Sequence, residues 1–187
     1  MTPTHYLPFA TRDDLSAWLA VHHATQSELW VRMYKKGSVM PSVTWEDCVV
    51  VALMWGWIDG QRQALDEVSF VQRLSPRRPG SNWSKKNCDH VERLSAEGLM
   101  QPSGLGHVEA AKADGRWERA YAGSSDMVMP EDFLSALEGD AKVFYETLNR
   151  ANRFAIYHRL HTAKRPETRA RRMTAILDTL KRGERLA

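Results

Sequence analysis

At 187 residues the chain is long enough for one well-buried domain with room for a small appendage. Its 43% hydrophobic and 26% charged residues are ordinary for a soluble globular protein, and its longest apolar run, Cys48 to Trp57, is only about half a membrane span, so a transmembrane helix is excluded. The N-terminus, MTPTHYLPFATRDD, has neither a basic n-region nor an apolar h-region, so no signal peptide and a cytoplasmic location are expected. Net charge is +3 but unevenly spread. Phe70–Arg93 holds six Lys/Arg against two Asp/Glu, and Arg150 to the end holds eleven against three. Two basic segments stand on an acidic remainder. They imply an anionic partner if they converge in space, or else two solvated helix faces.

Thr11 and Asp14 resemble a capping box and open a helix over about 12–23, with Leu15, Trp18, Leu19 and His22 at helical spacing. LWVRMYK (29–35) alternates apolar and polar and reads as a strand ended by Lys36-Gly37. Thr44 and Asp47 cap a second helix over about 45–55, although Val49-Val50-Val51 would also suit a strand. Residues 57–65 and 68–74 flank Asp66-Glu67 as a hairpin would. Pro76, Pro79 and Gly80 force a loop. Ser81 or Ser84 then caps a helix carrying Trp83, Val91 and Leu94 and ended by Gly98. A short helix spans Pro102–Gly115. Gly123-Ser124-Ser125 is the candidate linker to a helical tail. There Pro130 suits a first turn, a helix carries Val143, Phe144 and Leu148, and Pro166 interrupts or kinks a helix through Ile156, Leu160 and Ala163. Met173, Ile176, Leu177 and Leu180 define the last helix. Cys48 and Cys88 fall in amphipathic helices and read as buried, reduced thiols.

The expected fold is α+β and mostly helical. It has a small antiparallel sheet of about three strands (29–35, 57–65, 68–74) in an α+β domain over 1–122. A C-terminal helical module over 130–187 is expected to pack on it as one unit.

The motifs LWVRMYKKGS, ALMWGWIDGQ, SPRRPGSNWSKKN, ERLSAEGLMQPSG, AAKADGRWERAY and AKRPETRARR fall in that order from about Trp18 to Gly183. In them the chain resembles the YdeI/OmpD-associated family, also called bacteriocin-protection-like or OmdA. The tail from about Pro130 looks like the helical module by which that family is defined. The resemblance implies an association with bacteriocin tolerance and stress, and brings no reaction, substrate or cofactor with it.

Three groups of residues carry candidate chemistry. Arg77, Arg78, Gly80, Ser81, Trp83, Ser84, Lys85 and Asn87 would form an anion site if the helix began near Ser81, since its free N–H groups would face the arginine pair. The GxxxxGK[ST] loop is absent, so nucleotide hydrolysis is not indicated. Trp55-Gly56-Trp57-Ile58-Asp59-Gly60 offers aromatic walls and one carboxylate, which could orient a ligand or act as a general base. Alternatively the rings are core and Asp59 pairs internally with Arg62 or Arg77. Lys164, Arg165, Arg169 and Arg172 could contact phosphates, but nucleic-acid binding is weakly supported without an aromatic platform. His158 and His161 lack a third ligand and HExxH is absent, so no metal site and no cofactor are expected.

The reading these features favour is non-enzymatic binding of an anionic small molecule or peptide in a cleft. Trp55, Trp57 and Trp83 would be its walls, Arg77 and Arg78 its clamps, and Asp59 an orienting carboxylate, with Arg62, Ser81, Ser84 and Asn87 alongside. Lys164, Thr168 and Arg169 would close it from the tail. The rivals are an enzyme using Asp59 as acid/base and a nucleic-acid-binding module using the basic tail. Asp59 and Arg77 should be neighbours across the hairpin.

Overall fold

The computed structural model describes residues 5–186. In chain order its elements are β1 (Leu7–Pro8), α1 (Arg12–His22), β2 (Leu29–Tyr34), α2 (Trp45–Met54), β3 (Trp57–Ala64), β4 (Ser69–Pro76), α3 (Lys85–Ala96), α4 (Pro102–Ala113), α5 (Glu131–Ser135), α6 (Gly139–Thr147), α7 (Arg150–His161) and α8 (Pro166–Lys181). The fold is α+β, with eight helices and one four-stranded mixed sheet among the described residues. The three expected strands are present. The fourth, β1, pairs parallel with β2 through only Leu7 and Pro8, too short a stretch to leave a periodicity.

Two compact units form: Met1–Ser81 with Asn87–Glu118, and Asn82–Lys86 with Arg119–Ala187. In the first unit the sheet order is β1-β2-β4-β3. Leu29, Val31 and Met33 of β2 lie opposite Leu74, Gln72 and Phe70 of β4 and share one face with them. That face packs with Leu15 and Leu19 of α1, Cys48, Val51 and Ala52 of α2, and Trp57 of β3. Every residue of α2 from Cys48 to Met54 is buried, which is why its sequence has no amphipathic period. Helix wins over strand because the capping box closes: Thr44 Oγ1 accepts the Asp47 N–H at 3.1 Å and Asp47 accepts the Thr44 N–H at 2.9 Å.

α2 ends at a corner that α4 completes. Its orphan carbonyls find donors there: the Gln101 N–H reaches Met54 O at 3.1 Å, and the Ser103 hydroxyl reaches Trp55 O at 3.0 Å. Gly56 turns the chain at φ +74° and its carbonyl accepts the Arg77 N–H at 3.0 Å. A Cβ on Gly56 would sit 2.8 Å from both His107 and the Ser103 carbonyl, so the corner admits only glycine. β3 then pairs with β4 until a bulge between Asp59 and Arg62. Buried Gln72 fills it, donating to Gly60 O at 2.9 Å and Gln61 O at 3.4 Å.

In the second unit Phe133, Leu137, Ala141, Leu148, Ile156, Leu160, Ile176 and Leu180 form the core. Asn149 caps α7 by accepting the Asn152 N–H at 3.0 Å. Pro166 does not kink a continuing helix. It occupies the first turn of α8, where its missing N–H costs nothing, and α7 has already ended at His161. α8 ends in a Schellman turn: the Gly183 N–H bonds Leu180 O at 3.0 Å and the Glu184 N–H bonds Thr179 O at 3.1 Å, with Gly183 at φ +69°. The turn sends Leu186 back onto the helical core.

Two glycines of α4 separate packing from propensity. A Cβ on Gly104 would run into the carbonyl oxygens of Met54 and Leu53, whereas one on Gly106 meets nothing within 4 Å. G104A should therefore lower stability by about 1–3 kcal/mol, and G106A should raise it by up to about 1 kcal/mol through helix propensity. Urea unfolding followed by circular dichroism reads both; equal effects would show that α4 does not press on α2.

Candidate functional site

The residues singled out by sequence divide between the units. Trp55, Trp57, Asp59, Arg62, Arg77, Arg78, Ser81 and Asn87 belong to the first, and Trp83, Ser84, Lys164, Thr168 and Arg169 to the second.

In the first unit the tryptophans serve the core. Trp57 is 1% exposed, and its indole N–H donates to His23 O at 3.1 Å. Trp55 is half-buried, donates to the Ser16 hydroxyl at 3.2 Å and stands 4.8 Å from the His23 ring. Asp59 lies opposite Leu74 rather than beside Arg77, because β4 carries two more residues before the loop. Its carboxylate accepts the Trp45 indole N–H at 3.2 Å. Arg62 lies over the Phe70 ring, 3.7 Å from its centroid.

Arg77 is buried at 3% exposure, while Arg78 is exposed. The guanidinium of Arg77 is close enough to Cys88 and His107 to act on both. Burial, then Arg77 and Arg116, holds His107 below the usual histidine range. Burial pushes the Cys88 and Cys48 thiols up to about 12, so both free cysteines are inert thiols as expected. The helix beyond the loop begins at Lys85, directly after Ser84, the second of the two candidate caps, and not near Ser81 as the anion site required. Ser81 instead closes a turn, its hydroxyl donating to Arg78 O at 2.6 Å.

In the second unit Trp83 and Ser84 are held by the chain around Tyr121: the Tyr121 N–H bonds Trp83 O at 3.0 Å and the Lys85 N–H bonds Tyr121 O at 2.8 Å. Trp83 is 2% exposed and Asn87, at the start of α3, is half-buried. Arg169 is engaged inside the unit as a two-pronged pair with Asp132, one prong at 2.8 Å. Arg153 stacks on Tyr145 at 5.0 Å and donates to Glu146 O. These internal uses break up the basic tail. Thr168 is half-buried and Lys164 exposed.

Two other cations of the tail, Arg159 and Arg172, lie together elsewhere. A cavity of about 630 Å³ opens between α7 and α8, lined by Ala155, His158, Arg159, Thr162, Arg172, Ala175, Ile176, Thr179 and Leu186. Among the described residues its lining has two guanidiniums and one imidazole but no carboxylate. Among the described residues neither Arg159 nor Arg172 forms an ion pair. One Arg172 nitrogen donates to Arg159 O at 2.8 Å, which fixes the guanidinium at the C-terminal end of α7. His158 backs onto Tyr121, whose ring stands edge-on at 4.7 Å. Sequence reading named Arg172 only as a phosphate contact and dismissed His158 with metals. Pro166 interrupts the helix, one of the two outcomes its sequence position allows, and α7 and α8 are separate helices; which of their residues face each other leaves no sequence signal. His158, Arg159 and Thr162 then face a common space with Arg172, Ile176 and Thr179, each set at spacings of one helical turn or less.

Residues 7–107 match the family model described as a domain of unknown function, DUF8412. The chain belongs to the DUF8412 family. Residues 126–183 match a second model, described as Bacteriocin-protection, YdeI or OmpD-Associated, the OmdA family that the sequence resembles. No curated protein and no solved structure matches the chain. The two matches divide the motifs that sequence reading assigned to one family. LWVRMYKKGS, ALMWGWIDGQ, SPRRPGSNWSKKN and ERLSAEGLMQPSG fall in the DUF8412 segment, AKRPETRARR in the OmdA segment, and AAKADGRWERAY between them. The α7–α8 cavity lies in the OmdA segment apart from Leu186. Among the described residues no helix is long and apolar enough to cross a membrane, and no cluster of three or more His, Cys, Asp or Glu side chains could hold a metal.

The imidazole of His158 is held below the usual range by burial, then by the charges of His161 and Arg172. A depressed histidine binds its proton less readily folded than unfolded. Its stabilising contribution is complete above the unfolded value of about 6.5 and is lost as pH falls from there through the folded value. The drop in Tm between about pH 7.5 and about pH 5 should therefore be smaller in H158Q than in the parent. His107 contributes with the same sign in both proteins, so the difference isolates His158. An identical drop would remove His158 from the acid response.

Proposed function

We propose that this protein is a binding protein for an anionic small molecule or peptide, acting in the bacteriocin protection that the OmdA description names. The observation that carries the reading is the α7–α8 cavity, where Arg159 and Arg172 share a lining that has no carboxylate among the described residues. A cavity of this size falls within the range of ligand sites, and Arg172, half-buried and outside any ion pair among the described residues, attracts an anion more strongly than it would in bulk water, with the exposed Arg159 beside it. The ligand class is the one inferred from the basic segments; the place differs, because Arg77 is buried and Arg169 is committed to Asp132. Asp59 is bonded to the Trp45 indole, and no observation favours a reaction over binding.

Isothermal titration with acetate, sulfate and inorganic phosphate tests the reading. At least one should bind, and R159Q and R172Q should each weaken it about tenfold. Binding should strengthen as pH falls through the depressed value of His158, because its proton adds a third positive charge; H158Q should flatten that dependence. Equal binding by the parent and both arginine variants would move the site elsewhere.

A further inference from the structure

We infer that a cavity at the edge of the first unit's sheet binds an uncharged ring molecule whose rim both donates and accepts hydrogen bonds, the chemistry shared by a sugar and a nucleobase. The cavity measures about 420 Å³, and its lining includes Tyr6, Leu7, Trp18, Glu28 and Trp30. It belongs wholly to the first unit and is independent of the anion-binding reading above. β2 turns Leu29, Val31 and Met33 to the core and Trp30 to the other face. Core packing therefore does not account for a tryptophan at that position. Trp30 is half-buried, and among the described residues no ring or cation stacks on it and its indole N–H has no acceptor. Trp18 is fixed by the core, with Trp57 and Phe9 edge-on to it at 6.3 and 6.5 Å. One anchored and one unoccupied indole together offer a ligand ring its apolar surface.

Charge and hydrogen bonding narrow the ligand. Glu28 supplies a carboxylate to the lining, and its Oε2 accepts from Arg73 Nε at 2.8 Å, which offsets its charge. Arg32 lies 5.9 Å from the centre of the Tyr6 ring and is matched in turn by Asp66 at 2.8 Å. These paired charges favour neither a cation nor an anion. The polar atoms that remain are of both kinds. Glu28 Oε1 accepts, the Trp30 indole N–H donates and the Tyr6 hydroxyl does either, and none has a partner among the described residues. An ammonium ligand only donates and leaves the indole N–H unserved. A carboxylate or phosphate only accepts and meets the Glu28 carboxylate. A ring with hydroxyl or amide groups on its rim serves all three positions.

The test is a nuclear magnetic resonance titration of the ¹⁵N-labelled full chain with methyl glucoside, uracil, benzylammonium and benzoate. The indole N–H signal of Trp30 is assigned as the one missing from W30F. Methyl glucoside or uracil should shift that signal and bind at least about tenfold tighter than either ion. Uracil alone would make the ligand a base, and methyl glucoside alone a sugar. W30F, checked for folding by circular dichroism, should weaken the bound molecule about tenfold, and Y6F, which removes only a hydroxyl, about fivefold. Binding of benzylammonium or benzoate as tight as that of the uncharged rings would overturn the inference. So would binding that leaves the Trp30 signal in place or is unchanged in both variants, and so would no binding of either uncharged ring.

Discussion

The first unit depends on the corner where α2 becomes β3. α2 is buried from Cys48 to Met54, so its last carbonyls cannot reach water and must be satisfied by protein. The start of α4 supplies those donors from Gln101 and Ser103, and the bare backbones of Gly56 and Gly104 let the elements approach closely enough. The same corner aims β3. Trp57 enters the core, the Gly56 carbonyl holds the Arg77 backbone, and the hairpin register follows. The ALMWGWIDGQ motif is dense in costly residues because it builds this joint. Its tryptophans and glycines solve a backbone hydrogen-bonding problem as much as a packing one.

This explains what could be read beforehand. Local signals were decisive where they act locally. Both capping boxes stand where Thr11 and Thr44 predicted them, and the alternation of LWVRMY places β2. The hairpin was legible because Asp66-Glu67 separates two runs of the right length. β1 was not, since two residues contain no period, and its parallel pairing to β2 is a tertiary choice. For α3 the sequence offers Ser81 and Ser84 as caps of equal type, and the helix starts directly after Ser84. In the fold, the Trp83–Lys85 backbone is occupied by Tyr121, a partner 36 residues along the chain from Lys85 that no local pattern reveals.

The candidate site was legible as chemistry but not as place. Counting charges identified the basic tail, yet counting does not tell a committed arginine from an available one. Arg169 is neutralised by Asp132 and Arg153 is spent on Tyr145 and a carbonyl, while Arg159 and Arg172 keep their charge for a cavity. That sorting depends on which carboxylates the fold brings near, so only three-dimensional structure supplies it. The choice at Pro166 between an interruption and a kink has the same character. One residue decides whether the cations lie along a single rod or across a gap between two.

The bulge in β3 has a consequence for how the molecule behaves in a crowded solution. β3 is an outer strand of the sheet, and an outer strand with free carbonyls invites a second chain to add to it. Here the carbonyls of Gly60 and Gln61 are drawn inward to the Gln72 amide, and the adjacent Arg62 lies over Phe70. The rail along which a foreign strand would register is interrupted midway, and a cation stands at the gap. A buried glutamine, ordinarily a cost to a hydrophobic core, thereby protects the protein from polymerising through its own sheet.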